Sequence, residues 1–242
     1  VRGRIFHPEK NHMNILHVTD LRFNQRWYDW LLHSAPPHDL LAIAGNLLDF
    51  SHPEPRRHQI AWVQRWMQNY PRPLCVCSGF HDLEWDQQAE RWMPAYWMRE
   101  PDRTDLWTDG RRMEAEGFTL LPIGCTTQPK GEPADIWLAH TPPSGTDTAH
   151  RRTGGDAGDP HLAASARRHE PRLLLTGRVP EPFDWKDHLG ATFVLNPGHN
   201  SAGAFPNHIL VCTDELSARF VPGTHDAPDA HAHGQPPSLT LA

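Results

Sequence analysis

Short apolar runs alternate along this chain with longer amphipathic stretches. Six of the runs have the length and composition of buried strands: NILHV (14 to 18), LLAIAG (40 to 45), PLCVCSG (73 to 79), DIWLAH (135 to 140), RLLLTG (172 to 177) and TFVLNPG (192 to 198). They are apolar without strict alternation, as strands covered on both faces are, and each stops at a turn former or a polar group. Between them RWYDWLLHS (26 to 34), PRRHQIAWVQRWMQNY (55 to 70) and DPHLAASARRHE (159 to 170) read as helices. The second opens on Pro55 and closes before Pro71, and the third has Asp159 as its N-cap with Pro160 at its first position. HILVCTDELSARFV (208 to 221) reads as two strands about a Thr-Asp-Glu turn, so the sheet system is expected to finish antiparallel. The alternation predicts an α/β fold with buried strands.

Length and composition narrow this picture. A chain of 242 residues can bury one sizeable core, and 38% hydrophobic residues with 10 Trp suit a folded protein. The expected organisation is an N-terminal extension over 1 to 12, one domain over 13 to 221, and a Pro/His-rich tail without fixed structure over 222 to 242. Met13 stands directly before the first strand, which leaves open whether translation starts there or at Val1. A formal charge of -6 gives no general nucleic-acid signal. No apolar run approaches the roughly 20 residues of a spanning helix, so no membrane association is expected and the expected location is cytoplasmic. Cys75, Cys77, Cys125 and Cys212 form no CxxC pair and are expected to be reduced and buried. The Trp-rich stretch LEWDQQAERWMPAYWMREPDRTDLW (83 to 107) is expected to pack a helix onto the domain beside any site at the strand ends.

The candidate chemistry sits where the strands stop. Asp20, Asn46, His81 with Asp82, His140, Gly177 with Arg178, and Asn196 all follow apolar runs. In open α/β sheets ligands bind at that edge, because its loops converge on one crevice. Six polar strand ends in succession point to a shared site.

The order of these fragments resembles the calcineurin-like metallophosphoesterase family over residues 14 to about 221. That family carries DxH, GDxxD, GNHD, a lone His often followed by Pro, and GHxH at its strand ends, together holding two metal ions. Here the corresponding text reads TDLRF (Asp20, Arg22), GNLLD (Gly45, Asn46, Asp49), GFHD (Gly79, Phe80, His81, Asp82), AHTPP (His140) and GRVP (Gly177, Arg178, Pro180). The resemblance implies a sandwich of two mixed β-sheets flanked by α-helices. It also implies metal-ligand positions at Asp20, Arg22, Asn46 and Pro180 for one ion, and at Asn46, Phe80, His140 and Arg178 for the other. Only Asp20 and His140 keep the family's residue type. Asn46 offers an amide oxygen without charge, Phe80 and Pro180 offer no ligand, and Arg22 and Arg178 would repel a cation.

The expected function follows from those departures. This is a metallophosphoesterase-like protein without ordinary two-metal catalysis, binding a phosphate-bearing small molecule or a protein partner. Arg22, Arg178 and Asn46 are the expected ligand-binding residues, His81 and Asp82 the remaining acid/base apparatus, and Asp20 and His140 the remnant metal positions. Asp49 is expected to brace the second loop. No cofactor is expected. The alternative is a phosphomonoester, phosphodiester or nucleotide hydrolase with an altered site, which would need a divalent metal such as Mn, Fe or Zn.

Overall fold

The computed structural model describes residues 12–98, 103–127, 129, 133–224 and 239–240. Its elements run β1 (Asn14–Val18), α1 (Gln25–His33), β2 (Leu40–Ala44), α2 (Arg56–Asn69), β3 (Leu74–Cys77), β4 (Glu84–Asp86), β5 (Arg91–Met93), β6 (Leu106–Trp107), β7 (Met113–Ala115) and β8 (Phe118–Ile123). They continue with β9 (Ile136–Ala139), α3 (Pro160–His169), β10 (Leu173–Leu175), β11 (Lys186–Leu189), β12 (Thr192–Leu195), β13 (His208–Cys212), β14 (Ser217–Val221) and β15 (Leu239–Thr240). One sheet has seven strands in the order β15-β14-β13-β1-β2-β3-β6, and a second has six in the order β11-β12-β10-β9-β8-β7. Both are mixed. β1, β2 and β3 pair in parallel and β13 and β14 close the first sheet antiparallel; β8, β9, β10 and β12 are parallel within the second.

The alternation of side chains along each strand explains the layers. From β2, Leu40, Ala42 and Ala44 face the second sheet while Leu41 and Ile43 face α1 and α2. β3 does the same, with Cys75 and Cys77 inward and Leu74 and Val76 against the helices. On the far side Trp137, Leu174 and Val194 of the second sheet pack against Leu162, Ala163 and Ala166 of α3. A strand with a buried layer on each face has no polar side, which is why these runs read as continuously apolar. The inward residues of β2 and β3 near their C-terminal ends are small: Ala42, Ala44, Cys75 and Cys77. The two sheets therefore approach closely there, and the loops that leave them meet.

α3 begins as its sequence dictates: the Asp159 carboxylate accepts from the N–H groups of His161 (2.7 Å) and Leu162 (3.2 Å), Pro160 follows, and Arg167, Arg168 and His169 close the last turn. The segment from 83 to 107 differs from expectation, since it holds no α-helix among its described residues. It forms the β4–β5 hairpin, a short 3-10 turn over Tyr96–Met98 and the strand β6. The cysteines also divide: Cys75 and Cys77 are buried and reduced, but Cys125 is exposed and Cys212 partly so. Among the described residues no helix is long and apolar enough to cross a membrane. Of the expected N-terminal extension and C-terminal tail, residues 1–11, 225–238 and 241–242 lie outside the described residues, and Leu239–Thr240 pairs with β14.

Candidate functional site

Five loops converge at the C-terminal ends of β1, β2, β3, β9 and β10, and backbone hydrogen bonds lace them together. Asp20 N donates to Gly45 O (3.0 Å), Arg22 N to Asn46 O (2.9 Å), Phe23 N to Leu47 O (2.8 Å) and Gly177 N to His140 O (3.0 Å). The packing leaves little room at two glycines. A Cβ on Gly79 would collide with Asn46 Oδ1, and one on Gly177 would collide with Thr19 Oγ1. Asp20, Arg22, Asn46 and Arg178 all adopt left-handed backbone, with φ of 52°, 44°, 53° and 62°. Such conformations cost energy in residues other than glycine and persist where the surroundings enforce them, as at binding sites.

Asp20 is the centre of the arrangement. It is 2% exposed, and both oxygens are engaged. Oδ1 accepts from Asn46 Nδ2 (2.7 Å) and lies 3.5 Å from Arg22 Nε; Oδ2 accepts from the backbone N–H of Arg178 (3.1 Å) and lies 2.8 Å from the Thr19 hydroxyl. Burial opposes the charge of this carboxyl, but His140, the Asn46 amide, His199 and Arg22 outweigh it and hold its pKa below the ordinary carboxylate value. Asn46 uses both ends of its amide, since its Oδ1 accepts from the His81 backbone N–H (2.9 Å). His140 is buried with Nδ1 2.6 Å from Ala44 O, and burial lowers its pKa. Its other ring nitrogen is thereby left as the unprotonated one when the ring is neutral.

The remaining expected residues occupy distinct places. Arg22 lies over Asp20 with its side chain about one-third exposed, and its Nε is buried without a hydrogen-bond partner. Arg178 brings only its backbone to Asp20; its side chain is exposed and donates from Nη1 to Thr141 Oγ1 (3.2 Å). His81 is half-buried, with Nδ1 3.3 Å from the Phe50 backbone nitrogen and 3.5 Å from Asp49 Oδ1. Burial and Arg22 both lower its pKa. Asp49 accepts from Ser51 N (2.9 Å), so it braces its own loop as well as facing His81. Asp82 does not face the crevice with a free oxygen. Its carboxylate accepts from Leu48 N (3.0 Å) and Gly79 N (2.8 Å), tying the second loop to the third, and burial pushes its pKa up to about 7. Asn196 is fully buried and bonds to Thr148 O, Val179 O and Gly198 N, which makes it a brace of the loop after β12.

One residue of the site was not among those expected. His199, just after the Asn-Pro-Gly turn that follows β12, is held by its backbone N–H on Pro180 O (2.9 Å) and lies within electrostatic reach of Asp20 and Arg22. Its Nδ1 is buried without a hydrogen-bond partner. The only sequence signal was its place at the C-terminal end of a sixth buried strand.

No protein-family model matches this chain, and no curated protein matches it significantly. One crystal structure resembles it with a TM-score of 0.63 at 14% identity, over 87% of this chain and 99% of that one, a likeness of fold alone. A protein of unknown function from Aquifex aeolicus matches with a TM-score of 0.34 at 14% identity, over 69% of this chain and 78% of its own. The last value is too low to bear on the fold.

Proposed function

We propose that this is a metallophosphoesterase-like protein whose strand-end crevice binds a phosphate-bearing ligand without the family's two metals and without hydrolysing it. The observation that carries this reading is Arg22: its guanidinium lies against the buried Asp20 carboxylate, with Nε buried and lacking a hydrogen-bond partner. Nε faces Asp20 Oδ1 at 3.5 Å, and about one-third of the side chain is exposed, so the guanidinium offers its charge to an anion at the mouth of the crevice. His199, whose Nδ1 is also buried without a hydrogen-bond partner, lies within electrostatic reach of Asp20 and Arg22. Arg178 at the rim adds a second guanidinium, whose fork matches phosphate oxygens.

The donor set does not fit two metals. Phe80 and Pro180 have no ligand atom, Asn46 spends its oxygen on the His81 N–H, and Arg22 holds a fixed positive charge beside Asp20. Among the described residues no three His, Cys, Asp or Glu side chains converge as a ligand group. His81 and Asp82 are therefore assigned to holding the loops, with no metal-activated water for an acid or base to serve.

Two measurements test this. Calorimetry with inorganic phosphate in the presence of a chelator should show binding that weakens by about 1.5 to 3 kcal/mol on Arg22→Ala, the scale of a charged hydrogen bond; no binding by wild type up to millimolar phosphate overturns the proposal. Hydrolysis of generic phosphomonoesters and phosphodiesters with added Mn, Zn or Fe should not exceed that of a His81→Ala control. A metal-dependent rate that His81→Ala abolishes would establish the altered hydrolase instead.

A further inference from the structure

Four aromatic side chains lie open to solvent beside His81: Phe50 is 42% exposed, Phe80 46%, Trp85 50% and Trp92 38%. Single exposed rings are ordinary, but these four are contiguous. Ring centres are 5.9 Å apart for Phe50 and Phe80, 5.4 Å for Phe50 and Trp92, 5.1 Å for Phe80 and Trp92 and 5.2 Å for Trp85 and Trp92. The group reaches the site itself, because Phe50 stacks on the His81 imidazole with centres 4.7 Å apart and planes at 25°. The His81 backbone N–H donates to Asn46 Oδ1, and Asn46 Nδ2 donates to the same Asp20 oxygen that Arg22 Nε faces, which joins the shelf to the guanidinium.

The shelf is held in place from beneath. Trp85 and Trp92 face each other in the register of β4 and β5. Asp82 ties the loops carrying Phe50 and Phe80 together, and Arg56 donates to His81 O (2.7 Å) and Leu83 O while its guanidinium lies 5.0 Å over the Phe50 ring. With His81 and Arg56 against Phe50, the rings that remain for a ligand are Phe80, Trp92 and Trp85.

The geometry points to a nucleotide as the ligand, with its phosphate at Arg22 and its base stacked on Phe80 and edge-on to Trp92, whose plane stands at 61° to that of Phe80. This inference rests on the anion site proposed above and assigns the part of the ligand beyond the phosphate. A planar base needs exposed ring faces rather than directional bonds, and it needs them a short distance from the cation that takes its phosphate. The shelf is too small for a protein interface. With about 200 Å² per aromatic side chain, its exposed part is roughly 350 Å², under half of the about 800 Å² per partner that a stable complex buries. The hairpin carries Glu84, Asp86 and Glu90 against the single cation Arg91, an acidic balance unlike the basic track of a polynucleotide site. One nucleotide is the occupant that meets both limits.

Calorimetry on the full chain with a chelator present, comparing AMP, ribose 5-phosphate and inorganic phosphate, tests the assignment. AMP should bind about 10-fold or more tighter than ribose 5-phosphate, within the range that one base–aromatic stack contributes, and should quench tryptophan fluorescence where ribose 5-phosphate does not. Phe80→Ala and Trp92→Ala should each remove most of that advantage and leave the affinity for phosphate unchanged. Phe80→Leu, which keeps apolar volume without a ring, should behave as Phe80→Ala, and unchanged thermal midpoints would show that all three variants fold. If AMP and ribose 5-phosphate bind equally while phosphate still binds, stacking is overturned and the anion site stands. If none of the three binds at millimolar concentration, both fall. A short single-stranded oligonucleotide binding more tightly than AMP would overturn the assignment of a single nucleotide.

Discussion

Asn46→Asp should destabilise the chelator-treated protein by about 3 kcal/mol at pH 8, and the loss should shrink as the pH is lowered toward 5. In the wild type the two ends of the amide do different work. Nδ2 donates to Asp20 Oδ1 at 2.7 Å, and Oδ1 accepts from the His81 N–H at 2.9 Å, with Asn46 itself 3% exposed. An aspartate keeps the second bond but sets an oxygen against an oxygen in the first. The lost donor leaves a buried acceptor unsatisfied, which costs about 1 to 3 kcal/mol, and two carboxylates in contact cannot both stay ionised. One of them takes up a proton in the folded state at a pKa above its unfolded value. A raised folded pKa gives stability that is present at low pH and lost as pH rises through that pKa, so the defect appears on the alkaline side. Asn46→Ala is the control: it loses both bonds, adds no charge, and should cost a similar amount at pH 5 and pH 8. Urea denaturation of the three proteins at both pH values decides the matter, and an Asn46→Asp protein as stable as wild type at pH 8 would show that the Asp20 carboxylate is not held as described.

The positions that sequence alone places well are those where one physical cause dominates. The six apolar runs fall on β1, β2, β3, β9, β10 and β12, because a strand buried on both faces between layers has no polar side and ends where its loop reaches water. The start of α3 was legible because Asp159 and Pro160 both favour it locally. The hairpin of β4 and β5 was not. Its residues EWDQQAERWM have the composition of a helix, but Asp86 Oδ1 accepts from Gln88 N (2.9 Å) and Ala89 N (3.1 Å), and Glu90 takes a φ of 47°, which turns the chain back. β8 carries Pro122, a residue that argues against a strand, and β11 is the half-exposed outermost strand of its sheet, KDHL.

The candidate site divides in the same way. Which residues gather at the strand ends was legible from their order along the chain. Which atom each one contributes was not. Arg178 delivers its backbone N–H to Asp20 and sends its guanidinium to Thr141, while Arg22 lays its guanidinium on the same carboxylate. Both arginines take left-handed backbone in loops that carry no glycine at those positions, a conformation the residue types do not announce. Asp82 stands beside His81 in sequence, yet its carboxylate serves two backbone N–H groups from different loops. Adjacency of two acid/base side chains in a motif is thus compatible with one of them facing the crevice and the other fastening it.

Acid should weaken this protein between pH 7 and pH 5, above the ordinary range in which carboxylates protonate, and two buried histidines should account for it. His17 is fully buried between the sheets, with Nε2 2.8 Å from Thr176 O and Nδ1 3.4 Å from Ala42 O. His208, 2% exposed, packs on Trp30 with ring centres 5.0 Å apart and has Nδ1 3.0 Å from Pro206 O, while its Nε2 has no hydrogen-bond partner. Burial lowers the pKa of each to about 4, against the pull of those carbonyls, from an ordinary value of 6.5. Between the two values the unfolded chain binds a proton that the folded chain refuses. Stability from these groups is therefore complete above pH 6.5 and lost as pH falls toward 4, at about 2 kcal/mol per residue by pH 5. His140, also lowered by burial, acts in the same direction. Asp82 opposes them: with a folded pKa raised to about 7, its contribution is full at low pH and lost as pH rises, so on acidification it offsets roughly one histidine. The wild type should lose about 2 kcal/mol or more from pH 7 to pH 5 in urea denaturation. His208→Phe, which keeps a ring beside Trp30 and cannot be protonated, should be less stable at pH 7 by about the 1 kcal/mol of one hydrogen bond but should lose about 2 kcal/mol less on acidification. Equal pH dependence in the two proteins would mean that His208 titrates as it does in the unfolded chain and would overturn its place in this account.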